Sequence, residues 1–448
     1  MGNNDEHRQK LINIYNLLDD AFLIIDSDII NKLEIFSKKH NLEKEFLEIK
    51  DKTIDIRDID FITLENGTIV NSKENDLAVI QFSSGSTGEP KGVTLTHKNI
   101  IENCNGVLET AKIKKDDSYL SWIPLTHDMG LMGWHITPLI FGVNQVIIER
   151  NAFIRRPLLW FDVATKYKST LLCSPNFGYR YLLKFLKKTP KWNLENIRLI
   201  FNGAEPISSS LCEEFLKTLS PYGLKDNSMY PVYGLAEATL GVTVPKAYEN
   251  LKTYNLDINS LNIGEKIKEL KTDIGSVSYV CVGSPLVNMQ IRTTYNDIIL
   301  EDDFIGHVEI KSVSVTSGYY NNSKATSKIL KKDGWIDTGD LGFIRDGKLI
   351  ITGRAKDIII KNGINYYPHD IEDICLEIEG CELNKVVAVG SRDKNQEDED
   401  LIIFVLFKKE LNDFLEIEKN IKKLILQKIG LDVLPRSSVK PLALAMGI

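Results

Sequence analysis

The stretch FSSGSTGEPKGVTLTHKNI, residues 82–100, gathers hydroxyls, glycine N–H groups and the cation Lys91 directly behind the apolar run Leu77-Ala78-Val79-Ile80. That mixture suits a loop that wraps the β- and γ-phosphates of a nucleotide through charge-assisted hydrogen bonds. A Walker P-loop requires four residues between its first glycine and a Gly-Lys-Ser/Thr tripeptide. Lys91 instead lies between Pro90 and Gly92, so the spacing fails, and the Ras-like and kinase-like readings lose their main support. Taken alone, the loop is equally compatible with a surface Gly/Ser turn.

The elements around it follow a regular alternation. Short β-branched runs at 77–83, 144–149, 169–174, 197–203, 307–312, 348–353, 386–390 and 402–408 are separated by helical stretches, and apolar spacing predicts helices over 7–23 and 411–430. The expected fold is α/β with mixed or parallel sheets. A turn-rich DGWIDTGDLG (333–342), the strand KLIITG and the segment GRAKD (353–357) precede a charged final stretch with its own strand-helix-strand pattern. This predicts a large N-terminal domain over 1–353, with a short first lobe at 1–75, a hinge, and a small mobile α+β domain over 354–448.

Composition narrows the partners. At 448 residues, 43% hydrophobic and 26% charged with a net charge of −7, the chain is globular, multi-domain and disfavoured for nucleic acid. Cysteines 104, 173, 212, 281, 375 and 381 lack CxxC spacing and read as reduced, mostly buried thiols. No apolar signal core opens the chain, and no segment approaches the roughly 20 apolar residues of a membrane span. A cytoplasmic protein is expected. Met1-Gly2 opens like a myristoylation signal, but Glu6 occupies the position that needs Ser or Thr.

Further motifs follow the loop in order: PLTHDMGL (124–131), SPNFGY (174–179), NGAEPI (202–207), VYGLAEATL (232–240), GWIDTGDLG (334–342) and GRAKDIIIKNGINYYPHDIE (353–372). Over roughly residues 75–375 the chain resembles the adenylate-forming superfamily of acyl-CoA synthetases, luciferases and peptide-synthetase adenylation domains. HDMGL, PNFGY, NGAEP and YGLAEATL look most like the fatty acyl-AMP ligases. The resemblance implies that a substrate carboxylate attacks the α-phosphorus of ATP and releases pyrophosphate. The acyl group then passes to an acyl carrier protein, often in lipopeptide or polyketide pathways. Such chemistry needs positioning and charge neutralisation instead of a side-chain nucleophile.

By the same resemblance, Ser84, Ser86, Thr87, Gly88 and Lys91 would cradle the β,γ-phosphates, and Glu237 would hold Mg²⁺. Thr239, or Ala238 through its backbone, would lie near the α-phosphate. Adenine would sit between Gly203, Ala204 and Glu205 and the Tyr233-Gly234 pair. Asp340 would accept from the ribose hydroxyls, with Arg354 supporting the ribose or the phosphates. Individually, Asp340 could instead cap a turn, Tyr233 belong to the core and Glu237 sit solvated at a helix start. His127 would line the acyl pocket near the carboxylate or be a hydrogen-bonded core residue, and MGLMGWHITPLIFG (129–142) would line an acyl tunnel or be a buried helix. Lys356 takes the hinge position.

Two departures qualify the resemblance. Relatives end in a Pro-Lys-Thr-Ser/Thr-Ser-Gly-Lys segment whose lysine bridges carboxylate and ATP, whereas this chain reads LPRSSVKPLALAMGI (434–448), with Lys440 one residue early and no preceding glycine. Either Lys440 substitutes for the catalytic lysine or that function is lost, which leaves a non-catalytic adenylate-binding homologue as one alternative and an acyl- or aryl-CoA ligase as another. The front lobe is also short, and 246–281 corresponds to a variable region. Lysines 408, 409, 419, 422, 423 and 428 offer either a docking face for an acidic carrier protein or an ordinary solvated surface.

Overall fold

The computed structural model describes residues 4–59, 67–84, 90–187, 190–382, 385–391, 399–407, 411–431 and 433, with only the backbone described at 4, 83–84 and 411–413. The phosphate-loop positions Ser86, Thr87 and Gly88, the Ser84 side chain and Lys440 therefore fall outside the description.

Helices Asn4–Leu17, Ser27–His40 and Glu43–Asp51 enclose a small separate core of Ile12, Leu33, Phe36, Phe46 and Ile49. The first helix stops short of the expected 7–23 because the chain turns at Asp20, whose φ is 56°, into a short strand at Leu23–Ile25. An antiparallel hairpin, Leu77–Ser84 with Pro90–Thr96, then carries the phosphate-loop sequence at its tip and sets Ser83 opposite Lys91. Thr96 ends the hairpin and starts the helix His97–Thr110 through a reciprocal cap with Asn99.

Alternating strands and helices build a wholly parallel sheet in the order Asn144–Ile147, Ser118–Ser121, Leu171–Ser174, Leu199–Asn202, Met229–Pro231. Its three last strands are buried throughout, as expected for a parallel sheet covered on both faces. Downstream the topology changes. Short connections make hairpins, and the second five-stranded sheet, Ile298–Ile299, Met289–Tyr295, Gly306–Ser312, Ile336–Arg345, Lys348–Arg354, is antiparallel.

After Arg354 come a hairpin (Ile359–Lys361, Ile364–Tyr366), the helix Pro368–Cys375, the antiparallel pair Val386–Ser391 and Asp400–Val405, and the helix Leu411–Ile429. Gly430, at φ 66°, ends that helix close to the sequence expectation. One buried cluster joins residues of this segment, among them Ile371, Ile421 and Ile425, to Tyr254, Leu256 and Tyr279 of the 246–281 region. The six cysteines are free thiols, five of them buried. Among the described residues no helix is long and apolar enough to cross a membrane.

Candidate active site

A cavity of about 560 Å³ opens where the carboxyl ends of the parallel strands meet the antiparallel sheet. Open α/β sheets bind ligands at such strand ends, because successive loops diverge there. His127 follows the strand Ser118–Ser121, Gly203 and Ala204 follow Leu199–Asn202, and Tyr233 and Gly234 follow Met229–Pro231; all five line the cavity. Neither glycine can be replaced freely: a Cβ on Gly203 would stand 2.9 Å from Val232 O, and one on Gly234 only 2.0 Å from Leu240 O.

The antiparallel sheet supplies a carboxylate to this space through register. Asp340 and Arg354 are cross-strand partners, and Arg354 Nε lies 3.1 Å from Asp340 Oδ1. Tyr233 donates its hydroxyl to Asp340 Oδ2 at 2.6 Å. The Thr338-Gly339-Asp340 turn relies on Gly339 at φ 76°, and Asp340 N donates to Thr338 Oγ1 at 3.1 Å. Burial raises the Asp340 carboxyl above its ordinary range, while Arg354 and the Tyr233 hydroxyl oppose that shift. The sequence motif thus becomes a buried acceptor flanked by a ring and a guanidinium.

Lys91 and Glu237 line another part of the cavity and meet through Tyr319. Tyr319 donates its hydroxyl to Glu237 Oε1 at 2.6 Å, and Lys91 Nζ stands 5.2 Å from the centre of the Tyr319 ring. Tyr319 was absent from the motif reading; its only signal is the Gly-Tyr-Tyr of TSGYYNN. Lys328 and Lys356 also line this space.

Asp128 Oδ1 lies 2.7 Å from His127 Nδ1 and accepts from Met129 N at 2.6 Å. The hydrogen bond to Asp128 raises the His127 pKa above its ordinary value, with burial opposing. With Nδ1–H directed to Asp128, Nε2 is left for a ligand. In the 129–142 segment a wide π-helical stretch, Met129–Ile136, brings Met129, Gly133 and Trp134 to the cavity, and a short α-helix, Thr137–Phe141, follows with Leu139 and Ile140 exposed. Such π-helical turns recur at functional sites.

Three expected residues contribute differently. Glu205 accepts from Phe177 N at 2.6 Å and so holds the start of the helix Asn176–Phe185. Ala238 and Thr239 are buried; the Thr239 hydroxyl donates to Ser314 O at 2.7 Å, and Asn103 Nδ2 donates to Ala238 O at 3.0 Å. Ala204 at φ 73° and Thr239 at φ 72° are left-handed without being glycine, the kind of strain that collects at functional sites. Asn103 was also missed. It interrupts the apolar stripe Ile100, Cys104, Val107 of its helix and pins the Glu237 turn, also accepting from Gly241 N at 3.0 Å.

Residues 11–320 match the model of the AMP-binding enzyme family. The chain belongs to that family. It is 36% identical over 310 residues to a medium-chain-fatty-acid–[acyl-carrier-protein] ligase of Moorena producens, covering 66% of this chain and 52% of that protein. It is 32% identical over 340 residues to a 4-hydroxyphenylalkanoate adenylyltransferase of Mycobacterium marinum, covering 71% and 54%. The chain thus spans about half the length of the curated relatives it matches. Among solved structures, the fatty acid AMP ligase of Legionella pneumophila superposes with a TM-score of 0.73 at 29% identity, covering 96% of this chain and 75% of that one. The Legionella structure therefore shares its architecture with nearly the whole of this chain.

Proposed function

We propose that this chain is an ATP- and Mg²⁺-dependent ligase that converts a fatty or other carboxylic acid to its acyl-adenylate and delivers the acyl group to the phosphopantetheine thiol of an acyl carrier protein. The observation that carries this reading is the shared cavity of Lys91, His127, Tyr233, Glu237 and Arg354 with Asp340 beneath it. A carboxylate oxygen of the acid attacks the α-phosphorus, the bond to the bridging oxygen of the β-phosphate breaks, and pyrophosphate leaves. The thiol sulfur then attacks the acyl carbon and AMP departs.

In this reading Asp340 and Arg354 hold the ribose, Tyr233 faces the adenine, and Lys91, with the loop that includes Ser84, Ser86, Thr87 and Gly88, neutralises the β,γ-phosphates. His127 presents Nε2 to the carboxylate. Among the described residues no three His, Cys, Asp or Glu side chains form a metal cluster. Glu237 fits Mg²⁺ as a single hard carboxylate, the rest of the shell coming from phosphate oxygens and water. Bound there, Mg²⁺ would neutralise charge on the nucleotide phosphates and on the departing pyrophosphate.

Arg354, Ala355 and Lys356 all line the cavity, so a rotation at Lys356 would change what faces the nucleotide. That motion of 354–448 against 1–353 would have to part the buried cluster shared with 254–281. The names of the Moorena and Legionella relatives support a fatty acid and a carrier protein as partners. The free thiols fit the reducing cytoplasm.

Mass spectrometry after incubation with ATP, Mg²⁺ and a panel of fatty, aromatic and amino acids tests the reading, with coenzyme A and carrier protein as separate acceptors. Acyl-AMP that reacts onward with carrier protein only is expected. Conversion to acyl-CoA points to a CoA ligase, and ATP binding without any adenylate points to a non-catalytic homologue.

A further inference from the structure

One cation of the cavity has no role in the motif reading. Lys328 lies on the helix Ser323–Ile329, between the motif that ends at Leu240 and the one that begins at Gly334, and it lines the cavity together with Lys91, Glu237 and Tyr319. The segment leading into its helix is fastened to the hairpin that carries Lys91: Thr94 N donates to Gly318 O at 3.1 Å, and Tyr320 N donates to Gly92 O at 2.7 Å. Within the helix, the Thr326 hydroxyl oxygen accepts from Tyr319 N at 2.9 Å. Ala325 and Ile329, one turn apart, pack against the buried cluster of Val93, Leu95 and Tyr319. That packing fixes the helix and leaves Lys328 beside Ile329, which also lines the cavity.

Two neighbouring cations are already engaged. Arg354 is paired with Asp340, and Lys91 stands 5.2 Å from the centre of the Tyr319 ring. Lys328 has no hydrogen bond, ion pair or ring contact among the described residues, and it is exposed, which places it at the mouth of the cavity. A triphosphate carries more negative charge than one lysine and one Mg²⁺ neutralise, and the departing pyrophosphate gains charge as its bond to the α-phosphorus breaks. An ammonium at the opening suits the outer phosphates, since pyrophosphate must leave that way while the nucleoside stays between Tyr233 and Asp340.

We infer that Lys328 binds the β,γ-phosphates of ATP, and the pyrophosphate released from it, alongside Lys91. This rests on the adenylation reading, which puts the triphosphate at Lys91 and Glu237. The assignment draws a distinction that general electrostatics does not: AMP lacks the outer phosphates and gains nothing from Lys328. Because the contact is open to water and screened by salt, its loss costs less than that of a buried cation, about fivefold in affinity.

The test is calorimetric titration of ATP, AMP and pyrophosphate, each with Mg²⁺, into the unaltered chain and into Lys328→Met, Lys328→Arg and Lys324→Met. Methionine keeps the unbranched stem and helix propensity of lysine without its charge. Lys324 is exposed on the same helix and does not line the cavity, so its variant reports what the loss of any nearby positive charge does. Lys328→Met should bind ATP and pyrophosphate about fivefold more weakly and AMP as before. Lys328→Arg, which keeps the charge, and Lys324→Met should both bind ATP as the unaltered chain does. Undiminished ATP affinity in Lys328→Met, an equal loss for ATP and AMP, or the same loss in Lys324→Met overturns the inference while leaving nucleotide binding, and so the adenylation reading, in place. An unaltered chain that binds neither ATP nor AMP removes that reading and the inference together.

Discussion

Tyr233 donates its hydroxyl to Asp340 Oδ2 at 2.6 Å while Arg354 takes the other carboxylate oxygen, so the acceptor proposed for the ribose is held from both sides before any nucleotide arrives. An ionised carboxylate has about four lone-pair sites, which leaves capacity for two ribose hydroxyls. Asp340→Ala should therefore weaken ATP binding in calorimetry by tenfold or more, on the order of one or two charged hydrogen bonds.

The same carboxyl gives a pH dependence. Its pKa is raised by burial, so on acidification it protonates earlier than an ordinary carboxylate and loses acceptor capacity. ATP affinity should fall with pH from above the usual carboxylate range, and Arg354→Gln should move that fall to higher pH. For stability the sign is opposite. A carboxyl with a raised folded-state pKa contributes stability present below its unfolded pKa and lost as pH rises through the folded value. Asp340→Asn should raise Tm at neutral pH while weakening ATP binding, and a lowered Tm would count against this balance.

Lys91, Tyr319 and Glu237 act as one unit in the proposed phosphate site. Removing the cation by Lys91→Ala should slow adenylation about 100-fold or more, as expected for a group that meets developing charge. Tyr319→Phe leaves Glu237 in place but takes away the hydroxyl that orients it. Titrating Mg²⁺ against adenylation rate should then show a higher half-saturating concentration with recovery at excess Mg²⁺. A curve identical to that of the unaltered protein would remove Glu237 from the metal assignment.

His127 answers to Asp128. Its raised pKa keeps the imidazolium, and hence a donor at Nε2, up to higher pH than an isolated histidine. KM for the acid should rise as pH climbs through that raised value. Asp128→Asn removes the charge partner and should bring the rise to lower pH. An unshifted profile would show that His127 does not meet the carboxylate.

Much of this site was legible in sequence because motif residues report local chemistry: Gly203, Tyr233, Glu237 and Arg354 line the cavity, and Asp340 lies beneath it. Tyr319 and Asn103 were not, since each acts through a partner 82 or 135 residues away in the chain, a separation that no spacing rule encodes. The alternation of strands and helices foretold the parallel sheet. The antiparallel sheet was less visible, because the hairpin strands Met289–Tyr295 and Gly306–Ser312 differ from parallel ones chiefly in the shortness of their connections.

The opposite end of the parallel sheet gives a prediction for stability alone. Asp117, Thr170 and Arg198 stand just before three adjacent strands, where Arg198 Nε donates to Asp117 Oδ1 at 2.7 Å and Thr170 Oγ1 donates to the same oxygen at 2.7 Å. The side chains of Asp117 and Arg198 are 3% and 10% exposed. Asp117→Ala strands a buried guanidinium and should cost about 3–5 kcal/mol in urea unfolding, whereas Asp117→Leu with Arg198→Met should cost less because both charges leave together. Burial alone would raise the Asp117 pKa, but Arg198, Thr170 and the Lys114 N–H outweigh it and hold the carboxyl below its ordinary range. Its contribution is therefore present above the unfolded pKa and lost as pH falls through the folded one. Arg198→Met should accordingly move acid unfolding to higher pH. Because the ion pair lies at the amino ends of the strands and the cavity at their carboxyl ends, the adenylation rate per folded molecule should not change; a fall in that rate would mean that the sheet transmits the damage across its length.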